Sequence, residues 1–132
     1  MKLITRDTDY AVRALCIIAK RKDKITSVDD LVSETKIPRP FLRKILQILN
    51  KKGIIKSYKG RNGGFRLLQT PEGIHLMELI TIFQGNFALN QCFLRKAMCP
   101  DIKKCILKKK IDEIEKYVLE KLELITIKSI MN

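Results

Sequence analysis

Cys92, Cys99 and Cys105 are the residues of this sequence best equipped for chemistry. They lie six and then five residues apart in Cys92-Phe93-Leu94-Arg95-Lys96-Ala97-Met98-Cys99-Pro100-Asp101-Ile102-Lys103-Lys104-Cys105. Thiolates are soft ligands that select iron-sulfur clusters, zinc or Cu(I), and nearby cations favour the anionic form that ligates. The spacing is neither the C-x2-C of a zinc ribbon nor the tight run of a ferredoxin, and three thiols leave a cluster one ligand short. An iron-sulfur cluster is the leading reading; zinc, a metal-free redox thiol and no role at all stand beside it. The fourth cysteine, Cys16, flanks an apolar helical stripe and reads as a small buried hydrophobe. His75 is the only histidine. With no second histidine and no paired nucleophile a hydrolytic triad has no starting point, so His75 reads as a surface or packing residue. The sequence also lacks a P-loop and a metal-protease helix, and an enzyme is not expected.

The chain has 132 residues with 27 Lys and Arg against 14 Asp and Glu, a formal charge of +13. That length holds one compact domain with an appended element, and the charge attracts polyanions. The charge is unevenly placed. From Thr35 to Pro71 there is no acidic residue, while Lys36, Arg39, Arg43, Lys44, Lys51, Lys52, Lys56, Lys59, Arg61 and Arg66 all fall there. Nucleic acid is the expected partner. The longest apolar run, Ala14 to Ala19, is too short to span a bilayer, so no membrane role is expected. Met1 to Tyr10 has no apolar signal core, and four cysteines then point to a reducing cytoplasm rather than a disulfide framework.

The elements that must position these residues follow from periodicity. Ala11, Ala14, Leu15 and Ile18 mark a first helix from Thr8 to about Lys20. Thr26 or Ser27 can cap a second helix through Thr35, with Asp29 and Asp30 in its first turn. Pro40 can open a third helix at its first position, with Leu42, Ile45, Leu46 and Leu49 buried and Arg39, Arg43, Lys44, Gln47, Asn50 and Lys51 left for solvent. Arg, Gln and Asn are the side chains that make paired hydrogen bonds to guanine or adenine edges. Ile54 to Tyr58 and Phe65 to Leu68 read as strands around Lys59-Gly60-Arg61-Asn62-Gly63-Gly64, a hairpin in which Asn62-Gly63 supplies the positive φ angles. A fourth helix opens at Thr70-Pro71-Glu72 and ends at Gly85. Ile111, Ile114, Val118, Leu122 and Ile125 form an apolar stripe on a long last helix, which is expected to pack against a second copy of the chain. The fold class is therefore mainly α: a winged helix-turn-helix domain with a small two-stranded wing and a long C-terminal dimerisation helix. The expected division is 1–84 for DNA binding, 85–107 for the cysteine loop and 108–132 for dimerisation. In this architecture the third helix enters the major groove of duplex DNA, the wing tip (Lys59, Arg61, Asn62, Gly63) meets phosphates or the minor groove, and a homodimer reads a palindromic operator.

Thr8-Asp9-Tyr10-Ala11-Val12-Arg13-Ala14-Leu15, Ile37-Pro38 with Phe41-Leu42 and Lys44-Ile45-Leu46, Leu49-Asn50-Lys51-Lys52-Gly53-Ile54-Ile55 and Gly60-Arg61-Asn62-Gly63-Gly64-Phe65 together resemble the Rrf2 family of bacterial transcription regulators. The resemblance covers nearly the whole chain, and the wing with its double glycine is its most specific part. It implies a repressor whose three cysteines hold a 2Fe-2S or 4Fe-4S cluster, controlled by redox state, nitric oxide or iron-sulfur supply, with no small-molecule substrate. Some members of the family take a histidine shortly after the third cysteine as fourth ligand, whereas Ile106, Leu107 and Lys108 follow Cys105 here. Nitric-oxide-sensing members instead take a carboxylate from the first helix of the other subunit. Asp9 matches that position, with Asp7 behind it. The first gap between cysteines is one residue longer than is usual in the family. Cluster-free members imply the alternative, control by a protein partner or by cysteine oxidation.

Overall fold

A computed structural model describes residues 2–88 and 105–131. The chain runs α1 (Arg6–Lys20), α2 (Val28–Thr35), α3 (Arg39–Lys51), β1 (Ile55–Tyr58), β2 (Gly64–Leu67), a 3-10 turn (Pro71–Gly73), α4 (Leu76–Gln84), α5 (Ile106–Glu123) and α6 (Ile127–Ile130). This is the mainly helical, winged arrangement that the sequence predicts, with an antiparallel two-stranded wing.

One core joins the first three helices to the wing. Ala11, Ala14, Leu15 and Ile18 of α1 meet Leu31 of α2, Leu42, Ile45, Leu46 and Leu49 of α3, and Ile54 and Ile55 at the root of the wing. All are excluded from solvent, so the stripe spacing of α3 fixes which of its faces is presented outward. Ser27, not Thr26, caps α2. Its hydroxyl accepts from Asp30 N at 3.1 Å, and Asp30 Oδ2 accepts from Ser27 N at 3.3 Å, closing a capping box. Thr26 instead pairs with Phe65 as a one-residue third strand, Thr26 N donating to Phe65 O at 2.9 Å and Phe65 N to Thr26 O at 2.8 Å. The wing is thereby stitched to the entry of α2.

Several boundaries differ from expectation. Helix α1 starts at Arg6, two residues early, and α3 starts at Arg39, so that Pro40 is its second residue. Strand β1 starts at Ile55 and β2 at Gly64. In the hairpin the positive φ angles fall on Gly60 (96°) and Asn62 (66°), not on Gly63. Gly63 and Gly64 are required for space: a Cβ on Gly63 would lie 2.3 Å from Tyr58 O, and one on Gly64 2.3 Å from Thr26 O. Thr70-Pro71-Glu72 opens only the 3-10 turn, and α4 begins at Leu76. The chain must first extend through Ile74 and His75, where Leu76 N donates to Ile125 O and Ile127 N to Ile74 O, each at 2.9 Å.

The last helix also departs from expectation. Its predicted stripe is not left free as a whole: Val118 and Leu122, with Ile125 just beyond the helix end, pack on Leu76 and Ile80 of α4 in the same chain. The backbone bridge between His75 and Thr126 holds them there. What remains uncovered is a neighbouring seam, Leu107, Ile114, Tyr117 and Leu124, spaced by seven, three and seven residues, each more than half exposed.

Two outcomes test this packing. Leu46→Ala is expected to cost about 2–5 kcal/mol, read as a lowered urea midpoint, because it opens a hole in a filled core. Hydrogen bonding to Ser27 holds the Asp30 carboxyl below its usual range, with Arg21 adding to the effect. A lowered folded-state pKa stabilises the fold above the unfolded value of about 3.9, and the contribution is lost as pH falls through the lower folded value. Asp30→Ala should therefore melt below the wild type at pH 7, the gap closing on acidification below about pH 3.9; a gap independent of pH would contradict the capping role.

Candidate functional site

Burying Leu42, Ile45, Leu46 and Leu49 turns Arg39, Arg43, Lys44, Gln47, Asn50 and Lys51 outward, and all six are exposed. Two of them are not free-standing. Asn50 Oδ1 accepts from the backbone N of Ser57 in β1 at 3.2 Å, tying the end of α3 to the wing and leaving the Asn50 amide hydrogens for other partners. The Arg39 guanidinium is ion-paired with Asp29 in the first turn of α2. At the N-terminal end of α3, Phe41 receives the guanidinium of Arg6 from α1, 4.8 Å from the ring centroid.

The wing tip exposes Lys59, Gly60, Arg61 and Asn62, with Gly63 partly covered and its N–H bonded to Gly60 O at 3.0 Å. Arg66 does not join this tip. It lies opposite Lys56 in the strand pair, within 3.6 Å of Asp23, and its guanidinium sits 5.9 Å from the Tyr58 ring centroid, with Lys56 Nζ at 5.4 Å. Tyr58 as an aromatic support between two cations was not read from the sequence; alternation of Lys56 and Tyr58 opposite a cation is the pattern that encodes it. The acid-free stretch from Thr35 to Pro71 supplies both faces, α3 and the wing tip. The nearby carboxylates belong to α2 and the loop before it, and pair with arginines: Asp23 with Arg66, Asp29 with Arg39, and Asp30 and Glu34 with Arg21.

Of the candidate cluster ligands, Cys92 and Cys99 lie outside the described residues. Cys105 caps α5: its partly buried Sγ accepts from Lys108 N at 3.4 Å, at the end of a helix where the peptide dipoles favour negative charge. That setting fits a sulfur ligand. Asp9 lies in the first turn of α1 and pairs with Arg13 at 3.0 Å. Among the described residues no three His, Cys, Asp or Glu side chains come together as a metal site. Cys16 packs against the main core, and burial pushes its thiol up in pKa, as suits a packing residue. His75 is the N-cap residue of α4, with Nδ1 3.3 Å from Glu123 O, a structural position.

A further contact escaped the sequence reading. Gln84, the last residue of α4, accepts through Oε1 from Thr5 N at 2.9 Å and from the buried Thr8 hydroxyl at 2.7 Å, and donates through Nε2 to Leu3 O at 3.2 Å. It fastens the end of the helix that leads into the cysteine segment to the start of the helix that carries Asp9. The one available signal is a polar residue closing an otherwise apolar helix just before Gly85.

Residues 4–132 match the family model described as Rrf2, iron-dependent transcriptional regulator. The HTH-type transcriptional regulator NsrR of Shouchella clausii is 35% identical over 130 residues, which is 97% of this chain and 87% of that protein. Among solved structures, T. potens IscR superposes with a TM-score of 0.73 at 21% identity, covering 96% of this chain and 83% of the other. The global cysteine regulator CymR of B. subtilis gives 0.72 at 20% identity, covering 97% and 95%. The relatives are transcription regulators, not enzymes, and no helix among the described residues is long and apolar enough to cross a membrane. An exposed basic helix face beside a glycine-tipped wing, and a match that runs through almost every residue, lead to one conclusion: the chain belongs to the Rrf2 family of transcription regulators.

Proposed function

We propose that the protein is a cytoplasmic homodimeric repressor that binds a palindromic operator through Arg39, Arg43, Lys44, Gln47, Asn50, Lys51, Lys59, Arg61, Asn62 and Gly63, with affinity governed by an iron-sulfur cluster. The observation that carries the DNA-binding half is the six-residue polar and basic face of α3, exposed and flanked by the wing tip. A helix of this composition fits the major groove, where Arg, Gln and Asn find paired acceptors and donors on base edges, while Lys59 and Arg61 meet phosphates. Gly63 lets the hairpin close on itself, since a Cβ there would meet Tyr58 O and Gly60 O, and so presents the exposed Arg61 and Asn62 at the tip.

The seam Leu107, Ile114, Tyr117, Leu124 has the 7-3-7 spacing of a and d positions in a helix pair, which supports a second copy as its cover. On this reading residues 1–84 bind DNA, 85–107 carry the cysteines and 108–132 dimerise.

Cys92, Cys99 and Cys105 would hold the cluster, with Asp9 of the other subunit as the fourth donor. The position of Cys105 Sγ at a helix N-terminus supports this assignment, and Asp9 would exchange its Arg13 partner for the metal. Such a group supplies a link that is sensitive to oxidants, nitric oxide and iron supply. The chain's own part is to transmit the link: Gln84 ties the entrance of the cysteine segment to the start of α1, and Arg6 ties α1 to Phe41 on α3. A coupling of about 1–3 kcal/mol would change operator affinity roughly 5- to 150-fold. The absence of a histidine just after Cys105 favours one alternative, a cluster-free regulator controlled by thiol oxidation or a partner protein. Protein that stays colourless from anaerobic cells, with DNA binding that responds to thiol oxidants, would establish that alternative.

Two experiments test the proposal. Arg43→Ala should weaken operator binding by about 1–3 kcal/mol and relax preference at one base pair, whereas Arg61→Ala should weaken all duplexes alike and flatten the salt dependence by about one unit; unchanged affinity in both removes α3 and the wing from the interface. In anaerobic reconstitution, Cys92→Ala should lose the iron and sulfide uptake and visible absorption of the wild type, and equal uptake would show that the ligands are elsewhere.

A further inference from the structure

The carboxylate of Asp29 lies where a DNA-binding surface has least use for negative charge. A cleft open to solvent separates the start of α2, the start of α3 and the wing; Asp29 and Arg39 line it together with Tyr58, Gly60 and Gly63, and Asp29 is its one acidic residue. With α3 in the major groove and the wing tip on the adjacent backbone, a run of phosphates passes over this cleft.

Asp29 sits in the first turn of α2, where the helix dipole favours a carboxylate, but it does not close the cap. Asp30, not Asp29, closes the capping box with Ser27 and takes Arg21, while the partner of Asp29 is Arg39. That pair is exposed, at 43% for the Arg39 side chain and 76% for Asp29. Exposed pairs of this kind add little to stability. Pairing with Arg39 thus adds little to the fold, and its consequence is sought in what the surface binds.

We propose that Asp29 is a specificity-determining residue: it holds the Arg39 guanidinium still and cancels its charge, so that Arg39 reads a base edge instead of anchoring any phosphate. The proposal rests on the reading that α3 enters the major groove. Non-specific affinity scales with the number of cations that neutralise phosphates, and a carboxylate beside an arginine removes about one such contact. A guanine edge instead offers two acceptors in fixed geometry and rewards a planar fork that is already oriented. The guanidinium has five N–H donors, so it can serve Asp29 and a base simultaneously. Asp29 thus lowers binding to arbitrary sequence and sharpens binding to the right one.

The test compares wild type, Asp29→Asn, Arg39→Gln and the double variant by fluorescence anisotropy over a range of salt concentrations. The probes are a random-sequence duplex and the duplex that the wild-type protein enriches from a random pool. Asp29→Asn is expected to bind the random duplex about 3- to 10-fold more tightly at low salt, with a salt slope steeper by about one. It should gain no comparable factor on the enriched duplex, so the ratio of the two affinities should fall at least threefold, by about the same count. In the Arg39→Gln background the same change should leave that ratio unaltered. An unchanged ratio in Asp29→Asn, or an equal fall in the Arg39→Gln background, overturns the proposal. Circular dichroism on all four proteins checks that α2 stays folded, as the intact capping box predicts. If Arg43→Ala and Arg61→Ala weaken binding while the ratio in Asp29→Asn holds, the groove reading survives and the role of Asp29 alone fails; if neither weakens it, both fall together.

Discussion

The burial of Leu42, Ile45, Leu46 and Leu49 against α1 is the constraint from which the rest of the molecule follows. A helix has two faces, and once one is committed to the core the other is committed to solvent. The i, i+3, i+4, i+7 spacing of those four residues leaves Arg39, Arg43, Lys44, Gln47, Asn50 and Lys51 no choice of direction. Because Ile54 and Ile55 enter the same core directly after α3, the wing must start beside the C-terminal end of that helix. The bond from Ser57 N to Asn50 and the Thr26–Phe65 bridge then fix its position from both sides. The spatial relation between helix and wing is thus a consequence of packing, and neither loop has to encode it.

Electrostatics adds a second level of order. The net charge of +13 does not spread as a uniform coat. Arg21 and Arg66 are held by carboxylates of α2 and of the α1–α2 loop, away from the outward face of α3. The wing-tip residues Lys59 and Arg61 project into solvent from a stretch that contains no acid at all. Binding that relies on such exposed cations weakens steeply with salt, whereas paired ones act through geometry. Arg39, paired with Asp29, is the member of the second class that lies on the outward face of α3, beside Arg43 and Lys44.

Much of this was legible in the sequence. The helix stripes gave α1 and α3 to within two residues, because long periodic segments are the strongest local signal. The double glycine marked the hairpin, although the reason for Gly63 and Gly64 was steric contact with Tyr58 and Thr26, and contacts between distant segments leave no local trace. The start of α4 was misread for the same kind of reason: the extended Ile74-His75 stretch exists to pair with residues 125–127, fifty positions away in the chain. The stripe on α5 was seen, but two apolar faces lie side by side on that helix, and only the docked position of Val118 and Leu122 separates the internal one from the exposed seam. The engagement of Arg66 by Asp23 leaves no trace in the basic stretch that carries Arg66, because Asp23 lies more than forty residues earlier. For the cysteines, Cys105 could be placed at a helix start, while Cys92 and Cys99 fall outside the described residues.

The Gln84 amide holds three groups at once. Its oxygen takes two hydrogen bonds and its nitrogen reaches a third group, all within residues 3–8. A swing of residue 84 cannot be absorbed by stretching one bond; it either drags the beginning of the chain along or breaks three contacts together, leaving the buried Thr8 hydroxyl to Thr5 Oγ1 alone. The two ends of that joint are consequently held by three bonds that share one amide, so the end of α4 and the start of α1 shift together more readily than apart.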